Sequence, residues 1–308
     1  MLVNREVILF KIESSYNTDP TPSASTDAVL VMNPSWSNAG LRMNERSNVK
    51  ASIGKDQSIY GGTLKQVTFD VELKGSGAAG TAPECGQLLR ACGLDETIVA
   101  STSVTYAPVS TGHESGYMYY YQDGVLHKLG GCRGNVAVSM EVGAPGKLSF
   151  TITGHASAVT DASMVTPTYD STVPVPAIGA SFAVGGYAAV IAALNFDLSN
   201  TVATPPDMNA SDGFSQVYIT ARDVNGSFDP EMVLVATNDF LGDLAAGSTM
   251  ALATGTIGST AGNRYAISMP AIYARDIAPG DRDGVRTLAY TFGATESSGD
   301  DEVSIAFT

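Results

Sequence analysis

Lysine is missing from the second half of this 308-residue sequence: none follows Lys147. Residues 1–154 hold 12 Lys and Arg against 14 Asp and Glu, a net of −2, while residues 155–308 hold 5 against 17, a net of −12. Gripping DNA phosphates takes clustered cations that release counterions, so a phosphate-clamping nucleic-acid binder is excluded. Cysteine is scarce as well. Cys85, Cys92 and Cys132 make an odd number without paired spacing, which excludes a disulfide-stapled scaffold and fits a reducing cytoplasm. Long apolar runs are also lacking. The stretch from Ala183 to Phe196 is too short and too glycine-rich to span a bilayer, and Arg5, Glu6, Lys11 and Glu13 near the start are unlike a signal peptide. The expectation is a soluble chain with no membrane partner, made where it folds.

Charged residues are only 16% of the chain, against 32 Gly and 14 Pro, a profile of short strands and many turns. Strands are expected at Val7–Ile12 and across 64–74, where Val67, Phe69, Val71 and Leu73 alternate with Thr68, Asp70, Glu72 and Lys74. Pro83 to Gly93 reads as a helix of about ten residues with Cys85, Leu88, Leu89 and Cys92 on one face. Asp123-Gly124 between Tyr117–Gln122 and Val125–Leu129 is a hairpin signal, and strands at 136–142 and 148–153 follow. Later segments repeat this order: a strand at Gln216–Ala221, a helix at Asn238–Ala246, then strands at Met250–Thr256, Tyr265–Ile272, Leu288–Phe292 and Val303–Phe307. Identity between the halves is weak, so an internal duplication rests on the order of elements and stays open. The expected organisation is a first β domain over 1–160 containing a long loop at 13–62, a connector over 161–180, and a second β domain over 181–308, a duplicate of the first or a decoration.

Motifs of chemistry fail on context. Gly75, Gly77 and Gly80 spell G-x-G-x-x-G, but the preceding strand alternates instead of running apolar as a dinucleotide-binding strand does, so a flexible turn is the better reading. Ser52-x-x-Lys55 lies in a glycine-containing loop, not at the start of a buried helix. Asp281, Asp283 and Gly284 resemble part of a calcium loop whose twelfth position is Phe292 instead of glutamate, which leaves a turn balanced by Arg282 and Arg286. His113, His127 and His155 lie far apart, His127 and Cys132 are only two candidate ligands, and no G-x-S-x-G elbow is present. No catalytic residue, metal site or cofactor is assigned, and enzyme function is not expected.

The stretches GSGAAGTAPECGQLLRACGL (75–94) and HKLGGCRGNVAVSMEVGAPGKLSFTITG (127–154), with RDVNGSFDPE (222–231), GDRDG (280–284) and GDDEVSIAF (299–307), resemble the major tail tube proteins of long-tailed, non-contractile bacteriophages. The resemblance covers the chain from about Gly62 onward. It implies a mainly β fold, a sandwich or rolled barrel with short flanking helices. It also implies self-assembly into stacked rings forming the hollow tail tube, through which double-stranded DNA passes without specific binding, with other tail proteins at the tube ends. It places the protein in the virion tail, after synthesis in the bacterial host cytoplasm. Relatives of one domain need only about half this length, so a ring holds three chains if both halves are tube domains and six otherwise.

Several strands pair an apolar face with one of Ser, Thr and Ala, as in Leu148/Phe150/Ile152 against Ser149/Thr151/Thr153, which suits a smooth acidic conduit. Asp70, Glu72 and Glu141 are the expected lumen-facing acids. The 13–62 stretch, with Asp19, Trp36, Arg42, Arg46 and Lys55, occupies the place of the loop that reaches the adjacent ring. Two rival readings are a carbohydrate-binding or adhesive β-sandwich of a virion surface, which the lone Trp36 supports weakly, and a hydrolase on a β scaffold.

Overall fold

The structure, a computed structural model, describes residues 2–308. It is mainly β. The first half carries β1 (Glu6–Ile12), β2 (Ala28–Val29), β3 (Met32–Ala39), β4 (Met43–Asn44), β5 (Ile59–Tyr60), β6 (Leu64–Glu72), α1 (Gly86–Ala91), β7 (Leu94–Val99), β8 (Ser103–Pro108), β9 (Gly116–Gln122), β10 (Val125–Glu141), β11 (Lys147–Ala156) and β12 (Thr160–Asp161). The second half carries β13 (Ala183–Val184), β14 (Ala193–Asp197), β15 (Thr201–Ala203), β16 (Tyr218–Ala221), β17 (Asn225–Phe228), α2 (Phe240–Ala246), β18 (Thr249–Ala253), β19 (Tyr265–Arg282), β20 (Val285–Ala294) and β21 (Ser304–Phe307).

One antiparallel sheet runs through both halves in the order β3-β6-β11-β10-β14-β17-β20-β19. Alternation explains its two faces. Val67, Phe69, Val71, Val136, Val138, Leu148 and Phe150 are buried on one side, continued by Leu194, Phe196, Phe228, Tyr290 and Phe292. A second layer, β2-β1-β9 with the start of β10, and in the second half β13-β18 with the start of β19, β21, β8 and β7, closes the core. β10 and β19 serve both layers. Each bends at a bulge, β10 between Gly130 and Arg133 and β19 between Ala274 and Asp276, where the extra residue re-aims the strand. At the first of these Gly131 has φ +60, and a Cβ there would meet the Tyr16 ring at 2.5 Å. The helices are short lids: α1 buries Leu88 and Leu89 beside Cys85 and Cys92, and α2 ends on Gly247 at φ +63.

The strand pairings recur. β1·β9, β3·β6, β6·β11, β9·β10, β10·β11, β10·β12 and β4·β5 in the first half have counterparts β13·β18, β14·β17, β17·β20, β18·β19, β19·β20, β19·β21 and β15·β16 in the second. Register matches in detail. Phe69 opposes and stacks on Phe150 with ring centres 5.6 Å apart, as Phe228 does on Tyr290 at 4.6 Å. Three residues on, Glu72 opposes Lys147 and Glu231 opposes Thr287. One residue further, the Leu73 N–H donates to the Gly146 carbonyl at 2.8 Å and the Met232 N–H to the Arg286 carbonyl at 2.9 Å.

The Asp-Gly hairpin stands where the sequence puts it, with Val125 opposite Gln122. Asp283-Gly284 makes the equivalent turn between Arg282 and Val285, at φ +52 and +83. The glycine fingerprint is a packing device. Gly75 lies so close to the second half that a Cβ would meet the Gly262 carbonyl at 2.1 Å, and the Gly77 N–H donates to that carbonyl at 3.0 Å. Four departures from the sequence reading stand out. The helix at 83–93 shortens to six residues. The strands at 125–129 and 136–142 are one strand, β10. The 13–62 stretch contains β2 and β3, paired to β1 and β6. Finally, β7, β8, β14 and β17 go unforeseen, β17 because Asn-Gly-Ser-Phe reads as a turn.

Candidate functional site: a small-polar sheet face and a projecting hairpin

The face of the continuous sheet turned away from the core is built by the other half of each alternation. On β6 it carries Gln66, Thr68, Asp70 and Glu72, on β11 Lys147, Ser149 and Thr151, and on β10 Asn135, Ala137, Ser139 and Glu141. The second half continues it with Ala193, Asn195 and Asp197 on β14, Asn225 and Ser227 on β17, and Thr291 and Ala289 on β20. Cross-strand rows therefore run Asp70–Ser149–Ala137–Asp197–Asn225 and Glu72–Lys147–Ser139–Asn195–Ser227–Thr291. Beyond Asn225 the first row passes Gly293 and ends on Tyr273, the aromatic at its far end. The centre is a shallow concavity of about 390 Å³ between Ser139, Ser149, Asn195, Asp197, Asn225 and Ser227.

The structure places Asp70, Glu72 and Glu141, the acids expected in the lumen, on this outer face of the sheet. Asp70 accepts a hydrogen bond from the Ser149 hydroxyl at 2.6 Å, Glu72 lies opposite Lys147, and Glu141 is exposed at the end of β10. Asp197 joins them, accepting from the Asn135 amide at 2.6 Å across the strand pair that links the halves. Sequence reading missed Asp197, although Leu194/Phe196 against Asn195/Asp197 is the alternation that would have revealed it. Lys147, the lysine of the rows, sits against Glu72, and the arginines at the β19 end of the sheet are matched by acids, Arg275 by Asp223 and Arg282 by Asp229 and Glu231, so among the described residues the face offers no cluster of unpaired cations.

The residues expected in the early loop separate into two groups. Asp19 belongs to the body: its carboxylate accepts from the Tyr119 hydroxyl at 2.6 Å and the Lys128 ammonium at 3.1 Å. Burial raises its pKa, but those bonds and the Thr21 N–H outweigh it and hold the group below the ordinary value. Trp36 is in β3, and its indole N–H donates to Gln122 at 3.1 Å. The ring lies 5.3 Å from that of His127, with the Lys65 ammonium 4.3 Å from its centre. Lys65 and His127 meet at 2.7 Å, and burial lowers the pKa of both.

Arg42, Arg46 and Lys55 are on the segment that leaves the body, the β4–β5 hairpin and its tip. Arg42 fixes the root: its guanidinium stands 3.9 Å over the Phe214 ring and donates to the Gly213 carbonyl at 2.9 Å. Nearby, His155 bonds Asp212 at 2.6 Å and the Tyr16 hydroxyl at 2.9 Å, and that hydroxyl accepts the Val217 N–H at 2.7 Å. This histidine thus braces the hairpin root, with no serine in its chain of bonds. Arg46 and Lys55 are at the tip, where Val49 and Ile53 are fully exposed. Residues 40–62 carry four basic groups (Arg42, Arg46, Lys50, Lys55) against two acidic ones (Glu45, Asp56), in a chain of net charge −14. Ser52 and Lys55 lie in this same exposed tip.

No curated protein matches the chain. A family model described as phage tail tube protein matches residues 3–307. The chain belongs to the phage tail tube protein family.

Proposed function

We propose that this protein assembles into rings of three chains, each chain supplying two tube domains, and that the rings stack into the tail conduit through which DNA reaches the host. The observation that carries the reading is the eight-strand sheet from β3 to β19. One face is core, the other is small, polar and acidic, and among the described residues β3 has a single partner strand. Repeated around a ring, that outer face supplies a wall with acids and no basic cluster, along which phosphates slide without being held. Asp70, Glu72, Glu141 and Asp197 are its lumen acids. The recurrence of pairings and register supports reading 1–160 and 181–308 as duplicates joined by 161–180, hence three chains in pseudo-sixfold arrangement.

Residues 40–62 act as the inter-ring arm. Val49 and Ile53 bury against the next ring, and the arm's surplus positive charge is drawn to an otherwise acidic neighbour. Asp19 and Trp36 lie outside the arm, held in the body by Tyr119 and Gln122. The protein is made in the host cytoplasm and ends in the virion tail, capped by other tail proteins. Electron microscopy of the purified protein at high concentration tests this: rings with threefold symmetry, and tubes built from them, are expected, whereas persistent monomers in all ionic conditions would refute it.

A further inference from the structure

Resting on the ring reading, we infer which edges join one chain to the next and in what register: β19 of one chain pairs antiparallel with β3 of its neighbour, Ala278 opposite Ser37, Pro279 opposite Trp36 and Gly280 opposite Ser35. The template is inside the molecule. The halves are joined by β10·β14, with Ala137 opposite Asp197, Val138 opposite Phe196 and Ser139 opposite Asn195. By the register shared between the halves, β19 stands where β10 stands and β14 where β3 stands. Val136 opposes Phe150 as Ile277 opposes Tyr290, which places Pro279 at the Val138 position. Trp36 opposes Val67 as Phe196 opposes Gly226, which places Trp36 at the Phe196 position. The internal junction, moved on by one half, puts the second half of one chain against the first half of the next.

Burial separates a joint that is made from one that is waiting. Val138 and Phe196 are 1% and 3% exposed, whereas Trp36 is 40% exposed and Pro279 is also exposed. Among the described residues, the outer side of β3 carries no strand and β19 from Asp276 to Arg282 is paired to β20 alone. The polar pair beside the joint is retained with roles exchanged: Asn135 donates to Asp197 inside the chain, and between chains the carboxylate falls to Asp276 and the donor to Ser37. At the internal joint the Leu198 N–H donates to the Val136 carbonyl at 3.1 Å, which translates to the Asn38 N–H and the Ile277 carbonyl. Pro279 removes one donor from its edge. At the Val138 position that leaves the Trp36 carbonyl without its ladder donor, and the joint is carried there by the Trp36 N–H donating to the Pro279 carbonyl and by the flanking pairs, a loss an edge strand tolerates.

Cysteine cross-linking of the full chain tests the register. The native Cys85, Cys92 and Cys132 are buried, so an introduced pair reports alone. Chains carrying both Ala278→Cys and Ser37→Cys, oxidised after assembly, are expected to give a covalent ladder of two and three chains that stops at three. Ala278→Cys with Ser35→Cys, two residues out of register and about 7–8 Å apart, should give little. Rings seen by microscopy without cross-linking of the matched pair, or with equal cross-linking of both pairs, overturn the junction and leave the ring reading standing. A ladder that runs past three overturns closure by three chains. Protein that stays monomeric under every condition and does not cross-link overturns both. Trp36, the only tryptophan, gives a second readout in the unmodified protein: its emission should shift to the blue on assembly, and emission unchanged between monomer and ring contradicts a buried Trp36–Pro279 contact.

Discussion

Single residues here are constrained by what a neighbouring strand leaves room for. Gly75 is the sharpest case, because the atom a side chain would strike belongs to the backbone of Gly262 in the other half, which cannot step aside cheaply. Gly75→Val should destabilise the chain by about 1–3 kcal/mol, read from denaturant unfolding at constant m-value. His127 makes a pH-dependent contribution. Burial, then the nearby Lys65 ammonium, hold it below its ordinary value of 6.5. As pH falls through 6.5 the unfolded chain takes up this proton while the folded chain resists, so stability declines from 6.5 down to the lowered folded value. Unfolding midpoints at pH 7.5 and 5.5 should differ less in His127→Gln than in the native protein, and an equal difference would remove His127 from the account. The legible residues were those whose side of the sheet follows from alternation alone, such as Asp70 and Glu72 on the face away from Val71. The bracing of the hairpin root by His155 and Asp212 joins residues 57 apart and leaves no trace in a local pattern.

At the scale of elements, the sequence revealed strands that were long and strictly alternating and turns with forced chemistry, Asp123-Gly124 above all. It concealed the short ones. β14 is hidden in a run of small residues, and β17 is four residues long, held in place by β14 and β20 on either side. Nor could it show that β10 is continuous through Gly130-Gly131, since the bulge that allows it depends on strands from both layers. The early loop was read as one arm, yet half of it is body, because β3 finds β6. The tip beyond β4 and β5 is thus the part that can be removed without touching the body. Replacing residues 45–58 by Asn-Gly, a two-residue turn that closes β4 onto β5, should leave folding and ring formation intact and abolish stacking, with rings but no tubes in micrographs. Tubes of normal length from this variant would contradict the role given to the tip.

For the whole molecule, charge and closure are what matter. On the proposed reading, a chain of net charge −14 that presents acids on this sheet face repels phosphates passing along it. Changing Asp70, Glu72 and Glu141 together to lysine should make tubes retain double-stranded DNA at low salt and release it as salt rises, measured by co-sedimentation. Retention unchanged by the triple substitution would move those residues off the lumen. Closure is the central claim, because the sheet face becomes a conduit only if eight strands from each of three chains complete one wall. An electron cryo-microscopy map of the assembled tube tests it most directly. The account predicts three chains per ring, Asp70, Glu72 and Glu141 facing the channel, and Trp36 of each chain seated against Pro279 of the next; six chains per ring, or those carboxylates on the outer wall, would contradict it.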